Sequence, residues 1–324
     1  MKNCRSINKI KIFPKFQGEN EYLLNLSHIL KKNGDNVEFV GLPLKPLVKK
    51  VLNREKSDIL IINWLEDYPS LKKGFFAEAQ ATIRFIIALF AAKFYYRKVI
   101  WVRHNYQPHL SHSKICYTLF CKVISLISEK VVTHRPVQEF KSQVISHPLY
   151  KKTETIVVVP FDYLIFGNIK PYKNIPLILQ DWGPKHELKI IGKCKDEKLD
   201  NEITTLIKYR LPNVIYENRF LEVEELNGLL SSATFVILGH EESSMIVSGT
   251  FYHAISYGAN AVLKDSQYAQ AVKGEFPLVH IVKDFSEEAL SSLKPFARKD
   301  IVELANQTYS DSVVAEQWSR LLAD

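Results

Sequence analysis

The chain has 324 residues, 46% hydrophobic and 24% charged, an ordinary globular balance in a length better served by two cores than by one. Its formal net charge of +8 and pI near 9.1 favour anionic partners, but with no zinc-finger spacing, aromatic RNA-binding motif or long Lys/Arg block, nucleic acid is not expected. Cys4, Cys116, Cys121 and Cys194 form neither a disulfide framework nor a CxxC pair, and no apolar signal stretch precedes the first strand, so a cytoplasmic protein without a bound metal is expected.

Lys9 to Phe13 reads as a first strand ending at Pro14. A loop with Gly18 follows, then a helix from about Asn20 to Lys32 with Tyr22, Leu23, Leu26, Ile29 and Leu30 on its apolar face and Gly34 as its stop. Val37 to Val40 is a second strand, and a basic segment with Pro43, Pro46, Lys49 and Lys50 leads to a third, Asp58 to Trp64. Strands alternating with helices imply a parallel, doubly wound sheet. Gly74 to Tyr96 is the most apolar helix, ringed by Lys72, Lys73, Arg84, Lys93, Arg97 and Lys98. Its core, Phe85 to Ala92, is short of the roughly 20 residues that span a bilayer. Burial against the sheet is the expectation, and a helix lying in the membrane interface is the alternative.

Val99 to Arg103 is another strand, with His104 and His109 in the loop beyond its C-terminal end, the edge where open α/β sheets bind ligands. Ile115 to Ile127 reads as a helix, Lys130 to Thr133 as a strand, Pro136 to Gln143 as a short helix and Val144 to Tyr150 as an extended exit. After the polar break at Lys151, Lys152 and Thr153 a second series begins. Thr155 to Pro160, Leu164 to Gly167, Leu188 to Ile191 and Val214 to Tyr216 read as strands, and the segment up to Gln180, Asn201 to Tyr209 and Glu222 to Ser231 as helices. Thr234 to Leu238, a helix opened by Ser248, Gly249 and Thr250, and Ala259 to Leu263 make a βαβ unit. The free amides at that helix start suit an anion such as a diphosphate, with a plain N-cap at Ser248 as the alternative. Leu278 to Val282 is a late strand, and Ser286 to Leu293, Asp300 to Ala305 and Ser312 to Leu322 are helices.

Seven segments in this order resemble the GT-B glycosyltransferases that use nucleotide sugars. FGNIKPYKNIPLIL (Phe166 to Leu179), LKIIGK (Leu188 to Lys193), the segment Val214 to Leu238 and VSGTFYHAISYGANAVL (Val247 to Leu263) resemble the donor-binding half of the large retaining GT-B family. NWLEDYP, VIWVRHNYQPH and VISHPLY look like first-half segments of bacterial surface-polysaccharide (exopolysaccharide, capsule or O-antigen) members. The resemblance implies two Rossmann-like doubly wound domains facing across a cleft: an acceptor domain over 1–150, a donor domain over 151–305, and a helix over 306–324 packing back on the first domain.

It further implies a nucleotide-diphosphate sugar as donor substrate, with no cofactor or metal, and a saccharide or lipid-linked oligosaccharide acceptor, with contact to the cytoplasmic face of the inner membrane. Lys173, aided by Lys170, would neutralise the leaving diphosphate opposite the amides of Ser248, Gly249 and Thr250. Gly167 would let the backbone approach the ligand, Gly192 with Lys193 would border the nucleotide, the base would lie against Asn218, Arg219 and Phe220, and Glu242 and His253 complete the donor set. The family's glutamate pair is missing: its register falls on Met245 and His253, and Glu241 and Glu242 come too early. His104, Asp67 and Glu66 are the candidate catalytic residues, any of which could accept the acceptor hydroxyl's proton if the reaction inverts. The rival reading is a non-catalytic subunit of the same architecture that binds a glycan or a partner.

Overall fold

The computed structural model describes residues 7–16, 20–41, 57–72, 74–106, 113–137, 140–151, 158–240 and 245–323. Gly18, the segment with Pro43, Pro46, Lys49 and Lys50, Lys73, His109, Lys152, Thr153, Glu241 and Glu242 lie outside them. The chain divides into two compact units. One comprises the described residues of Met1–Pro148, Ser244–Val247 and Asp311–Asp324, the other those of Leu149–Ser243 and Ser248–Ser310.

The first unit holds a six-stranded sheet of β1 (Lys9–Phe13), β2 (Asn36–Phe39), β3 (Ser57–Asn63), β4 (Tyr96–Val102), β5 (Lys130–Thr133) and β6 (Gln143–Val144), in the order β2-β1-β3-β4-β5-β6. Every pairing is parallel. Strand alternation sorts the side chains: Ile59, Ile61, Ile100 and Val102 enter one core, and Leu60, Ile62, Val99 and Trp101 the other. The first core is closed by the helix Glu21–Lys32 and the C-terminal helix Asp311–Ala323, which contributes Val314, Trp318, Leu321 and Leu322. Asn33 fastens the two helices, donating from Nδ2 to the Ala315 carbonyl at 2.9 Å. The second core is closed by the helices Phe75–Tyr95 and Lys114–Ile127.

The second unit repeats the plan with β7 (Phe161–Phe166), β8 (Leu188–Ile191), β9 (Val214–Glu217), β10 (Ala233–Leu238), β11 (Asn260–Lys264) and β12 (Val279–Val282), ordered β12-β11-β10-β7-β8-β9 and again parallel. Successive strands run outward from β7 to β9, then return to its other side at β10. The β7/β10 boundary is therefore this sheet's topological switch point, as β1/β3 is in the first.

Several boundaries move for identifiable reasons. The strand expected over Leu164–Gly167 is β7, which already starts at Phe161; of the strand expected over Thr155–Pro160, Thr155, Ile156 and Val157 lie outside the described residues, and Val158, Val159 and Pro160 are not in a strand, the proline nitrogen having no proton for a ladder. No helix forms at the described residues of the expected Pro136–Gln143 segment; Gln143–Val144 pairs with β5 instead. The helix expected at Asn201 begins at Glu197 because Asp196 caps it, accepting from the Lys198 and Leu199 amides at 3.0 and 3.2 Å. A helix Gln267–Glu275, capped by Ser266, is absent from the sequence reading.

The helix Phe75–Tyr95 departs most. Its 21 residues, with a mean hydropathy of 1.5 over the most apolar window, suffice by length and composition to cross a membrane. In the fold it buries Ala81, Ala88, Leu89 and Ala92 against the sheet as expected, yet leaves Phe76, Ile83, Ile87, Phe90 and Phe94 exposed. Sheet packing thus accounts for one of its faces only.

Trp318, 1% exposed, anchors the C-terminal helix to the first core. Trp318→Ala should destabilise the first unit by about 3–5 kcal/mol in urea unfolding, the range for removing a buried large aromatic.

Candidate functional site

In the second unit the expected donor residues gather at the switch point. Gly167 follows β7 with φ of 82°, a left-handed conformation that glycine adopts without strain. The turn Pro171–Lys173 then brings Lys173 back over the end of the strand it has just left. Lys173 is buried, 6% exposed, and its Nζ donates to the Phe166 carbonyl. Burial, with Lys170 nearby, lowers its pKa to about 7.

The neighbouring backbone is packed too closely for side chains. A methyl at Gly192 would lie 1.9 Å from the Gly167 carbonyl oxygen, and one at Gly239 2.7 Å from the Lys173 carbonyl oxygen. Asn174, in the left-handed region at φ 52°, donates from Nδ2 to the Gly239 carbonyl at 3.0 Å and ties the loop after β7 to the end of β10. Lys173, Gly239, His240 and Thr250 line one small cavity there. His240, with Tyr172 stacked at 5.2 Å, was not among the residues drawn from the sequence. Its signal is its place directly after the Gly that follows β10.

The helix Gly249–Ser256 opens at the same edge. Ser248 is not an N-cap through its side chain, since that side chain makes no capping hydrogen bond. Its carbonyl accepts from the Phe251 and Tyr252 amides, so the helix's unspent donors are those of Gly249 and Thr250. A methyl on Gly249 would come within 3.0 Å of the Tyr150 hydroxyl.

Other donor candidates are placed differently. His253 is buried, 6% exposed, stacked on Tyr150 at 4.2 Å, with Nε2 3.2 Å from Asn227 Oδ1 and its pKa lowered by burial to about 3. That is a packed, neutral imidazole, neither exposed nor turned toward a ligand. Arg219 is held by Glu217 and by a two-pronged pair with Glu225, so its charge is already matched. Phe220 beside it is 59% exposed, and Lys170 is exposed. Asn218 is spent on the Cys194 backbone, accepting from its amide at 3.0 Å and donating to its carbonyl at 3.2 Å.

In the first unit three strand ends meet. Asn63, ending β3, donates from Nδ2 to the Phe13 carbonyl at the end of β1 (3.1 Å), which turns its Oδ1 to His104 Nε2 at 3.2 Å. The His104 ring proton is therefore on Nε2 and the lone pair on Nδ1. The ring is 2% exposed, stacked on Trp64 at 4.2 Å and edge-on to Tyr22 at 5.0 Å. His134 and His147 complete the group around Tyr22, at 5.2 and 4.9 Å. Their Nδ1 atoms donate to the Ile145 and Pro148 carbonyls at 2.8 and 2.7 Å. Burial, then mutual repulsion, holds His104 and His147 well below the usual histidine pKa; burial lowers His134 to about 4. His147 stood in the quoted VISHPLY segment without a role, Tyr22 was read only as part of a helix's apolar face, and His134 was not singled out.

Glu66, a candidate base in the sequence, is buried. It lies 1% exposed in the turn Leu65–Asp67, accepts from Trp101 Nε1 at 3.0 Å, and burial with the Asp67 charge raises its pKa to about 8. A carboxyl protonated at neutral pH does not serve there as a base, so of the three catalytic candidates His104 and the half-buried Asp67 keep the required lone pairs. At the register of the missing glutamates, Met245 pairs with Asn105 in an isolated antiparallel bridge and His253 is packed as described.

No family model and no curated sequence matches the chain. Solved structures do. The Anabaena protein Alr3699/HepE in complex with UDP aligns with a TM-score of 0.65 over 97% of this chain and 99% of its own, at 12% identity. AviGT4, a glycosyltransferase involved in avilamycin A biosynthesis, aligns at 0.60 over 98% of each chain with 14% identity. The lipopolysaccharide outer core galactosyltransferase WaaB, in its apo form, aligns at 0.61 over 98% and 99% with 12% identity. The likeness shows the fold: two Rossmann-like units of the GT-B type.

Two outcomes test this geometry. Gly192→Ala should destabilise the second unit by about 1–3 kcal/mol or more, read by chemical denaturation, because neither backbone can yield to the added methyl. The histidine group predicts acid sensitivity. With folded pKa values below the ordinary 6.5, the unfolded chain binds more protons from there down to about 4, so the first unit should lose stability as pH falls through that window. His134→Gln should flatten the dependence.

Proposed function

We propose that the chain is a metal-independent glycosyltransferase that moves a hexose from a nucleotide-diphosphate sugar to a saccharide acceptor, lipid-linked, in the assembly of a bacterial surface polysaccharide. The observation that carries the reading is the buried ammonium of Lys173 at the β7/β10 switch point, sharing a cavity with Thr250 beside the helix start. Among solved structures of the same fold, Alr3699/HepE is seen with UDP, with UDP and glucose, and with UDP-glucose.

As the bond between the sugar's anomeric carbon and the diphosphate oxygen breaks, negative charge grows on the leaving diphosphate. Lys173, already desolvated, sets its charge against it in a low-dielectric site, and the Gly249 and Thr250 amides donate to its oxygens. The acceptor hydroxyl attacks the same carbon and loses a proton. In the first unit His104 Nδ1 carries the lone pair suited to take it, its orientation fixed through Nε2 by Asn63. The missing glutamate pair keeps a second reading in view, a subunit that binds a glycan or partner without turnover.

Lys173→Ala should remove the thermal stabilisation that UDP, GDP or another matching nucleoside diphosphate confers on the wild type, and should abolish transfer with the fold retained. Full transfer in that variant overturns the assignment, and ligand binding without consumption of any sugar nucleotide favours the second reading. A pH signature belongs to the same site. Because free Lys173 titrates near 7 and a diphosphate favours its charged form, affinity should fall by roughly tenfold per pH unit above that value, with proton uptake visible by calorimetry.

A further inference from the structure

The helices Phe75–Tyr95 and Lys114–Ile127 lie side by side on one face of the first sheet, joined by Phe85 and Phe120 at 6.2 Å. Each carries a second apolar stripe opposite the one it buries. On the first, Phe76 (85% exposed), Ile83, Ile87, Phe90 and Phe94 (68%) follow the spacing of one helix face. On the second, Ile115 (79%), Leu119 and Leu126 (84%) do the same. Since both inner faces pack on the same side of the sheet, both outer stripes point away from it together, forming an apolar ridge of a kind soluble surfaces rarely leave bare.

The charge around the ridge is mostly basic: Glu129, just past the second helix, is taken up by Lys93 of the first. From Lys72 to Ile127 the only acidic residue is Glu78, and it is fully buried. Lys72, Arg84, Arg97, Lys114 and Lys122 are exposed over the same stretch. Beside the ridge opens a cavity of about 520 Å³, lined by Trp101, Arg103, Lys114, Tyr117, Lys122 and Phe140 among others. The Arg103 guanidinium lies 4.4 Å from the Phe140 ring centroid and 5.2 Å from that of Trp101. On the helix Lys114–Ile127, Lys114 stands one position before Ile115, and Lys122, three residues after Leu119 and four before Leu126, lies within the stripe itself, so cations and apolar ridge are continuous.

We propose that this ridge docks on an anionic phospholipid bilayer, its apolar side chains entering the interface and the cavity with Arg103, Lys114 and Lys122 receiving a lipid phosphate. A bilayer fits where a second copy does not, since self-association would bring two basic faces together, whereas anionic headgroups complement them. The helix Phe75–Tyr95 does not cross, because Ala88, Leu89 and Ala92 on its inner face belong to the core of the unit. Docking is independent of the transfer reading and is tested without it.

The test is co-sedimentation of the full chain with phosphatidylcholine vesicles, with and without phosphatidylglycerol. Binding is expected only where the anionic lipid is present, and should be lost in Phe76→Ser/Ile87→Ser/Phe94→Ser, whose exposed sites leave the fold intact by thermal melting. Lys114→Gln/Lys122→Gln should weaken it by roughly thirtyfold, two basic contacts being removed, and by more than Lys72→Gln/Arg84→Gln does. Equal losses in the two lysine and arginine pairs would overturn the role of the cavity. No sedimentation with anionic vesicles would overturn the docking, as would a dimer in sedimentation velocity that the Phe76/Ile87/Phe94 variant dissolves. Nucleoside diphosphate binding by these variants should match the wild type, so failure at the membrane and failure at the donor site are read separately.

Discussion

The ammonium of Lys173, donating to the carbonyl that closes β7, is the interaction around which the second unit is set out. A buried positive charge is costly unless its donors are used, and here one of them holds the strand end. Bringing the lysine back over its own strand requires the left-handed Gly167, and bringing the next strand's end beside that turn requires Gly192 to have no side chain at all. Asn174 then fastens the turn to Gly239 at the end of β10. Each of these features is a consequence of crowding two strand ends and one helix start around a single ammonium.

The first unit meets the same topological problem with neutral groups. Its switch point is closed by Asn63, which bonds the end of β1 and orients His104 in the same gesture. Desolvation holds the three histidines uncharged, so they pack against Tyr22 as aromatic bodies and repel one another only when protonated. Glu66 shows the same principle with opposite sign: buried beneath Trp101, it keeps its proton. Burial thus acts alike in both units, holding the histidines and Glu66 uncharged in one and lowering the Lys173 pKa in the other.

The two apolar faces of the helix Phe75–Tyr95 separate roles that are often merged. Its inner face is needed to cover the sheet. Its outer face adds nothing to the core, and the nearly complete exclusion of acidic residues from the surrounding stretch has no counterpart in the demands of packing.

The alternation of strands and helices, the two parallel sheets and the glycines at the strand ends were legible in the sequence, because period-two and helical apolar patterns are set locally by which faces must be buried. Lys173, Gly167 and the helix start at Gly249 were legible too, since their spacing after β7 and β10 is a local matter. Elsewhere the sequence misled or was silent. Glu66 read as a candidate base, and His253 and Arg219 as residues of the donor site. Burial and pairing decided these, and both are supplied by segments far apart in the chain: Trp101 for Glu66, Asn227 and Tyr150 for His253, Glu217 and Glu225 for Arg219. Local periodicity determined which elements form, and tertiary packing decided which of their polar groups are left for chemistry, because a side chain's protonation and availability depend on whatever neighbours the fold brings to it.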